Sequence, residues 1–183
     1  MSKALFKKFK IYFFSFMLYC FIGWIYEVIL EFSYGNGFVN RGFLHGPYLP
    51  VYGFGALLVL FSIRHFSKKD IRLGKILITP FLTFILIFLL TSVVEYIAGT
   101  ILDVFFDKKL WDYTDEFLNI NGLVCLSASL RFATGGTIFL YLLQPLFEKA
   151  LSKIKEKNLN LIFYIVITLF LIDFVVFVAK LFL

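Results

Sequence analysis

Long apolar runs with few charges constrain this chain more than any other feature of its sequence. They lie at residues 11–32, 47–63, 76–98, 122–147 and 159–182. A helix rises about 1.5 Å per residue, so about 20 apolar residues cross a hydrocarbon core about 30 Å thick. Hydrophobic residues make up 61% of the chain and charged residues only 16%, which excludes an ordinary soluble domain. The sequence therefore predicts an all-α integral membrane protein, a single domain over 1–183 with about five transmembrane helices.

The basic residues indicate which end of each helix faces the cytoplasm. Thirteen lie near the N-terminus and in the loops around 64–75 and 149–157, whereas four lie on the opposite side. By the positive-inside rule, we expect a cytoplasmic N-terminus and an outside C-terminus in a multi-pass protein of the bacterial cell membrane. The first run has no small-residue cleavage site, so we expect an uncleaved span. Lysines at helix ends explain the net charge of +6, and we expect no nucleic acid partner.

One segment between the first two runs is unlike the rest of the chain. Residues 35–55 read GNGFVNRGFLHGPYLPVYGFG and contain six glycines and two prolines. Glycine permits backbone conformations that a Cβ forbids, and proline removes a hydrogen-bond donor. Beside helices of bilayer length, this composition predicts irregular backbone at or just inside the outer membrane surface, as in a re-entrant loop. Such backbone is tolerated where protein or a water-filled cavity surrounds it. We therefore expect this segment to form the floor or lid of a polar site.

Carboxylates collect near the outer ends of the predicted spans. Glu27 and Glu31 lie one turn apart on the first helix, and Glu95 lies near the outer end of the third. Ionisable groups at membrane depth are costly and are usually paired or functional. Trp24 lies one turn before Glu27 and is a suitable wall for a pocket. Arg41, in the adjoining loop, is the expected counter-charge for one of the three glutamates.

A second charged pair is expected at similar depth on the last two spans. Arg131 lies about 13 Å below the outer edge of the fourth span, and Asp173 lies about 21 Å above the start of the fifth. We predict that they approach each other or share a polar network with Glu27. A structural ion pair is favoured over a substrate role. His45 is compatible with general acid–base chemistry, but a hydrogen-bonding loop residue is the commoner case.

No motif assigns catalytic residues, a metal site or a cofactor. The sequence contains no phosphate-binding loop, catalytic triad order, zinc-protease motif or cysteine–histidine metal spacing. Cys20 and Cys125 lie in apolar runs and are interpreted as buried small hydrophobic residues. Ser129 and the pair Gly135-Gly136 are typical of close helix contacts in membranes.

Several of these residues also resemble the motifs of a known family. The pieces are Gly23-Trp24-x-x-Glu27, Asn40-Arg41-Gly42-Phe43-Leu44-x-Gly46-Pro47, Pro50-x-Tyr52-Gly53-x-Gly55, Glu95, Trp111-Asp112-Tyr113, Asn119, Gly122, Cys125-Leu126 and Ser129. They resemble the ABC-transporter type IV (CmpB-like) family of small bacterial membrane proteins. Arg131-Phe132 departs from it, because a Trp-Gly pair is expected there. The resemblance implies transport, with a separate ATPase subunit and a homodimer as expected partners besides the lipid bilayer.

Three functions stay open from the sequence. The first is a permease-like protein with an outward-facing polar site formed by Glu27, Arg41, Glu95 and Asp112. The second is an intramembrane enzyme acting on lipid or envelope precursors at the outer leaflet, and the third is a structural or regulatory subunit. The sequence does not determine the substrate, its charge, the energy source or the oligomeric state. The residues expected to bind substrate are Trp24, Glu27, Asn40, Arg41, Tyr52, Glu95, Trp111, Asp112, Tyr113, Asn119 and Arg131.

Overall fold

The computed structural model describes residues 3–40, 42, 44–107, 109 and 111–181. Helices dominate this part of the chain, with one short hairpin and one π-helical turn. In chain order the elements are α1 (Lys3–Ser33), α2 (Pro50–Ser62), α3 (Arg64–Ser67), β1 (Arg72–Leu73), β2 (Ile76–Leu77), α4 (Thr79–Phe106), α5 (Leu126–Ile138), the π turn (Phe139–Leu143), α6 (Gln144–Ser152) and α7 (Glu156–Leu181).

Four helices in the described part are long and apolar enough to span a membrane. They are Leu5–Ser33, Thr79–Phe105, Leu126–Ser152 and Glu156–Lys180, and the third of them joins α5, the π turn and α6. The predicted second span, 47–63, contains only α2, whose 13 residues extend about 20 Å. The all-α membrane class is confirmed. The second crossing needs non-helical residues as well, because α2 is shorter than the hydrocarbon core.

The chain divides into two compact units, which are described separately. The first combines Met1–Leu58 with Gln144–Leu183, and the second is Val59–Leu143. The single-domain expectation stays a prediction. Cys20, in the first unit, and Cys125, in the second, are both free and buried, as expected for small hydrophobic residues.

In the first unit, α1 and α7 run in the same direction. Near their starts, Lys10 Nζ donates a hydrogen bond to Asn160 Oδ1. Further along both helices, the ring centroids of Phe16 and Phe170 lie 5.9 Å apart. Between these contacts, Phe163 packs among several phenylalanines of α1. Parallel first and last helices are what the predicted topology, with the two termini on opposite sides, requires.

In the second unit, α4 packs closely against α5. A Cβ at Gly136 would lie 2.8 Å from Ile87 Cγ2, so the two helices approach more closely there than any side chain would permit. Ser92 Oγ donates to Ser129 Oγ at 2.7 Å in the same interface. The predicted role of small residues in helix contact is confirmed at Gly136 and Ser129, whereas Gly135 faces open space.

The start of α4 is set by a proline and a short hairpin. Pro80 suits the first helical turn, where its missing N–H would have no intrahelical partner. Thr79 Oγ1 donates to the carbonyl of Lys69 at 2.7 Å and accepts from the amide of Ile71 at 3.0 Å. These bonds hold the β1–β2 hairpin against the helix. The predicted third span therefore begins with strand β2, while its outer end continues as helix to Phe106.

Candidate functional site

In the first unit, the glycine-rich segment descends along α1 rather than staying beyond its end. Asn36 Nδ2 donates to Glu31 Oε2 at 2.7 Å, close to the end of α1. At the start of α2, the amide of Leu49 donates to the carbonyl of Cys20 at 2.9 Å. Cys20 is 13 residues before the last residue of α1, which corresponds to about 20 Å along the helix. Non-helical backbone thus reaches the middle of the first candidate span.

Four of the predicted site residues form two hydrogen-bonded pairs along this descent. Trp24 Nε1 donates to Asn40 Oδ1 at 2.8 Å. Tyr52, on the first turn of α2, donates from its hydroxyl to Glu27 Oε1 at 2.5 Å. The Tyr52 ring lies where a Cβ of Gly23 would be, 2.2 Å from Tyr52 Cγ, so only glycine fits there. We name Trp24, Glu27, Asn40 and Tyr52 the outer polar site.

Arg41 lies outside the described residues, so its pairing with a glutamate stays a prediction. Glu27 and Glu31 carry interactions beyond the two hydrogen bonds given above. Glu31 itself is buried, with 8% of its surface exposed, although it lies only two residues before the end of α1. Two carboxylates one turn apart therefore face the descending segment.

A second polar cluster joins the same segment to α7. Asp173 Oδ1 accepts from the His45 amide at 3.1 Å and lies 2.8 Å from His45 Nδ1. Its other oxygen, Oδ2, accepts from the Gly46 amide at 2.9 Å and from the Tyr48 hydroxyl. We name these four residues the Asp173 network. The Asp173 carboxylate on α7 thus accepts hydrogen bonds from two backbone amides of this non-helical stretch, which no helix or strand would otherwise satisfy.

The proton position on His45 follows from its second neighbour. Lys180 Nζ lies 3.0 Å from His45 Nε2. An ammonium group only donates hydrogen bonds, so Nε2 accepts and Nδ1 carries the proton that points at Asp173. Both ring nitrogens of His45 thus have a hydrogen-bonding neighbour in this loop.

In the second unit, the Trp-Asp-Tyr motif shapes the loop between α4 and α5. Trp111 Nε1 donates to the Leu123 carbonyl at 2.8 Å, and the Tyr113 amide donates to the Gly122 carbonyl at 2.8 Å. Gly122 has a positive φ of 69°, which favours glycine. Asn119 Oδ1 accepts from the Gly122 amide at 3.2 Å. These motif residues close a compact loop, which is a structural task.

Asp112 is the exposed member of this motif. Its Oδ1 accepts from the Thr114 amide at 2.9 Å and from the Thr114 hydroxyl at 2.5 Å. These two hydrogen bonds stabilise the ionised carboxylate and hold the pKa of Asp112 below its usual value. Asp112 thus acts as the first residue of a turn, and its ligand-binding role stays a prediction.

Among the predicted site residues of the second unit, Glu95 has one carboxylate oxygen that accepts no hydrogen bond from the described groups. Tyr113 donates from its hydroxyl to Glu95 Oε1 at 3.1 Å, whereas Oε2 is buried without a hydrogen-bond partner among the described atoms. Burial first, and then the negative charge of Glu95, raise the pKa of Tyr113, so its hydroxyl stays protonated. Arg131 is exposed and donates from Nε to the Ser127 carbonyl at 3.2 Å.

The predicted site residues therefore fall into one group in each unit. The outer polar site lies in the first unit, and Glu95 with the loop motif lies in the second. The predicted approach of Arg131 to Asp173 or Glu27 would join residues of different units and stays a prediction. Among the described residues, no group of three or more histidine, cysteine or acidic side chains is arranged to hold a metal ion.

Sequence reasoning missed two sets of polar residues in the first unit. Tyr48 was not singled out, although it lies one residue after Pro47 in the irregular segment and bonds Asp173. Gln144 and Ser15 are almost completely buried, at 1% and 0% exposure. The available signal was the dipeptide Gln144-Pro145 inside an apolar run, since proline disturbs a helix and a buried amide needs partners.

The fold defines a class: the chain is a multi-pass membrane protein, with four helices among the described residues that are long and apolar enough to span a membrane. A known family matches residues 14–178, and its description reads "Putative ABC-transporter type IV". The chain belongs to this family. No curated protein and no solved structure matches it.

Proposed function

We propose that this chain is a permease-like transport protein of the bacterial cell membrane. Its outer polar site, together with Arg41, would receive the substrate from the outer side. The family name supports an ABC-transporter-related role. Because the sequence contains no phosphate-binding loop, an ATPase would be a separate subunit. Five crossings are few for a complete transporter, which favours a homodimer.

The observation that carries the proposal is the broken second crossing. The described residues between α1 and α2 reach the level of Cys20 without forming a helix, and α2 begins only at Pro50. Discontinuous helices near the bilayer midplane are typical of the binding sites of secondary transporters. Membrane-embedded carboxylates, here Glu27 and Asp173, mark substrate or ion pathways in such proteins. Both carboxylates bind the non-helical segment or the first turn of the helix that follows it.

The direct test is uptake by right-side-out membrane vesicles supplied with internal ATP. Vesicles carrying the wild type would be compared with vesicles carrying Glu27→Gln, for a panel of labelled amines, amino acids, sugars and phosphate. Glu27→Gln removes the charge but keeps the shape, so we expect uptake of at least one solute to fall about tenfold or more. Glu116→Gln makes the same chemical change in the outer loop of the second unit and should leave uptake unchanged. Equal uptake of every solute by Glu27→Gln and wild type would refute the proposal.

Native mass spectrometry of gently extracted protein tests the partners. A stoichiometric ATPase or second membrane subunit would support the permease assignment. A homo-oligomer that retains a lipid, and loses it on Glu27→Gln, would instead favour the lipid-processing alternative.

A further inference from the structure

A buried polar cluster joins α1 to α6 in the inner half of the first unit. Gln144 Nε2 donates to Ser15 Oγ at 3.0 Å and to Glu148 Oε1 at 2.8 Å. Ser15 lies five residues before Cys20 on α1, which is about 7.5 Å further towards the N-terminus. The cluster therefore lies on the cytoplasmic side of the point that the descending segment reaches. We name Ser15, Gln144 and Glu148 the inner polar site.

The hydrogen bonds of the inner polar site leave one acceptor unused. Both amide protons of Gln144 are engaged, and the Ser15 hydroxyl donates to the Ile11 carbonyl at 2.9 Å. Gln144 Oε1 is buried without a partner among the described atoms. Rotating the amide would not help, because it would place this oxygen against the carboxylate of Glu148. A buried acceptor without a partner loses its hydrogen bond to water on folding, so it is a candidate contact for a ligand.

The helix that carries Gln144 is itself irregular at this point. The π turn, Phe139–Leu143, ends directly before Gln144. Pro145 follows, and its ring lacks an N–H and would clash with the Tyr141 carbonyl in a regular α-helix. Single π turns inside α-helices occur frequently at functional sites. The wider turn changes the direction of the side chains that follow, and Gln144 is one of the most deeply buried of them.

We propose that the inner polar site binds a small cation carrying N–H donors, of the guanidinium or protonated-amine class. Its unused group is an acceptor, and Glu148 adds a carboxylate beside it. The negative charge of this carboxylate disfavours an anion at the same place. Lys10, five residues before Ser15, is held by Asn160, by the Phe6 ring at 4.8 Å and by Glu156 at 3.9 Å.

This inference rests on the proposed transport function and extends it. It gives the substrate a chemical class and supplies a polar position in the inner half of the first unit. The two polar sites lie on the same helix, α1, with Cys20 between them in the chain.

The test uses Ser15→Cys, a nearly isosteric change that keeps Gln144 and Glu148. Thiols react with charged methanethiosulfonates only where water reaches them, so inside-out vesicles would be treated with the trimethylammonium-ethyl and the sulfonatoethyl reagent. Each rate is divided by the rate with free mercaptoethanol. Because of the nearby carboxylate, we expect the cationic reagent to be favoured at least about tenfold, and guanidinium ion to slow the reaction.

Three control variants make this labelling specific. Glu148→Gln should bring the ratio of the two rates close to one, whereas Glu156→Gln, at a side chain 79% exposed, should not change it. Ser152→Cys lies at the exposed end of α6, and guanidinium should not protect it. Absence of labelling at Ser15→Cys, a ratio of one or less, or absence of protection would each overturn the proposal.

A second measurement does not depend on the cysteine variant. Guanidinium at about 10 mM should raise the apparent melting temperature of the wild type, since a ligand of the native state stabilises it. Gln144→Met keeps the side-chain length but lacks the acceptor, and it should abolish the shift. A shift unaffected by Gln144→Met would overturn the proposal even if Ser15→Cys failed to fold. If uptake is observed but the selective labelling, the protection and the thermal shift are absent, the inner polar site is refuted and the transport function is not. If these three results are obtained but no solute is taken up, the transport function is refuted instead.

Discussion

Replacing Asp173 with asparagine tests whether its charge, rather than its shape, holds residues 45–48 against α7. The carboxylate accepts hydrogen bonds from two backbone amides, those of His45 and Gly46, and from the side chains of His45 and Tyr48. Asparagine keeps one accepting oxygen, so its NH₂ group faces the donors that the second oxygen served. Tyr48 can rotate its hydroxyl to accept, but the Gly46 amide cannot.

The magnitude follows from these bonds. One amide without an acceptor costs about 1–3 kcal/mol, and loss of the charge weakens the remaining bonds, for a total of about 2–4 kcal/mol. Only 12% of the Asp173 side chain is exposed, so water replaces little of this. For a chain of this size, 1 kcal/mol corresponds to about 2–4 °C, so the apparent melting temperature should fall by about 4–16 °C.

The assay is thermal unfolding in lipid nanodiscs, followed by intrinsic tryptophan fluorescence. Asp115→Asn makes the same change at an exposed loop position and serves as the control, with a shift of no more than about 2 °C. If Asp173→Asn melted within about 2 °C of the wild type, the network would not stabilise the segment and the reasoning would be wrong.

Three further predictions concern packing, pH and topology. Gly53→Ala should destabilise the protein by about 1–3 kcal/mol, because its Cβ would lie 2.5 Å from Cys20 Sγ. At Gly55 an added Cβ would have no neighbour within 4 Å, so Gly55→Ala should instead stabilise α2 by about 0.5–1 kcal/mol. Equal melting temperatures of the Gly53→Ala and Gly55→Ala proteins would contradict both expectations. The pKa of Asp112 is lower in the folded protein than in an unfolded chain. The ionised carboxylate therefore stabilises its turn fully at pH values above the unfolded pKa, and this stabilisation is lost and the turn loosens as the pH falls through the folded pKa. Trp111 fluorescence in a Trp24→Phe background should report this loosening, and Asp112→Asn should abolish its pH dependence. Impermeant reagents should label tags at the two termini from opposite sides, whereas labelling from one side would refute five crossings.

The membrane class and the long spans were largely predictable, because they depend on local sequence. Run length and charge spacing predicted the long helices, and the glycine–proline segment predicted irregular backbone inside the membrane surface. Of the residues predicted to bind substrate, Trp24 bonds Asn40 and Tyr52 bonds Glu27, whereas Glu95 and Asp112 lie in the other unit. The length of α2 was overestimated because Pro47 and its neighbours are apolar but not helical, and hydropathy does not distinguish the two.

The partners of Asp173 and the inner polar site were not predictable, because they join residues far apart in the chain. Depth arithmetic predicted Arg131 or a network with Glu27 as the neighbours of Asp173, but a helix presents several faces at one height. Its hydrogen bonds go to residues 45–48, about 125 positions earlier. Gln144 looked like an ordinary polar residue in an apolar run until its contact with Ser15 was known.

The sequence by itself determined the membrane class, the expected orientation and the place where helix gives way to irregular backbone. These follow from transfer free energy and backbone stereochemistry, which act on each segment separately. Only the tertiary structure decided that Asp173 accepts from the backbone amides of His45 and Gly46. It also decided that the buried side-chain oxygen of Gln144 has no hydrogen-bond partner among the described atoms. A hydrogen bond requires two groups within about 3 Å, and packing of distant segments, rather than local composition, brings such groups together.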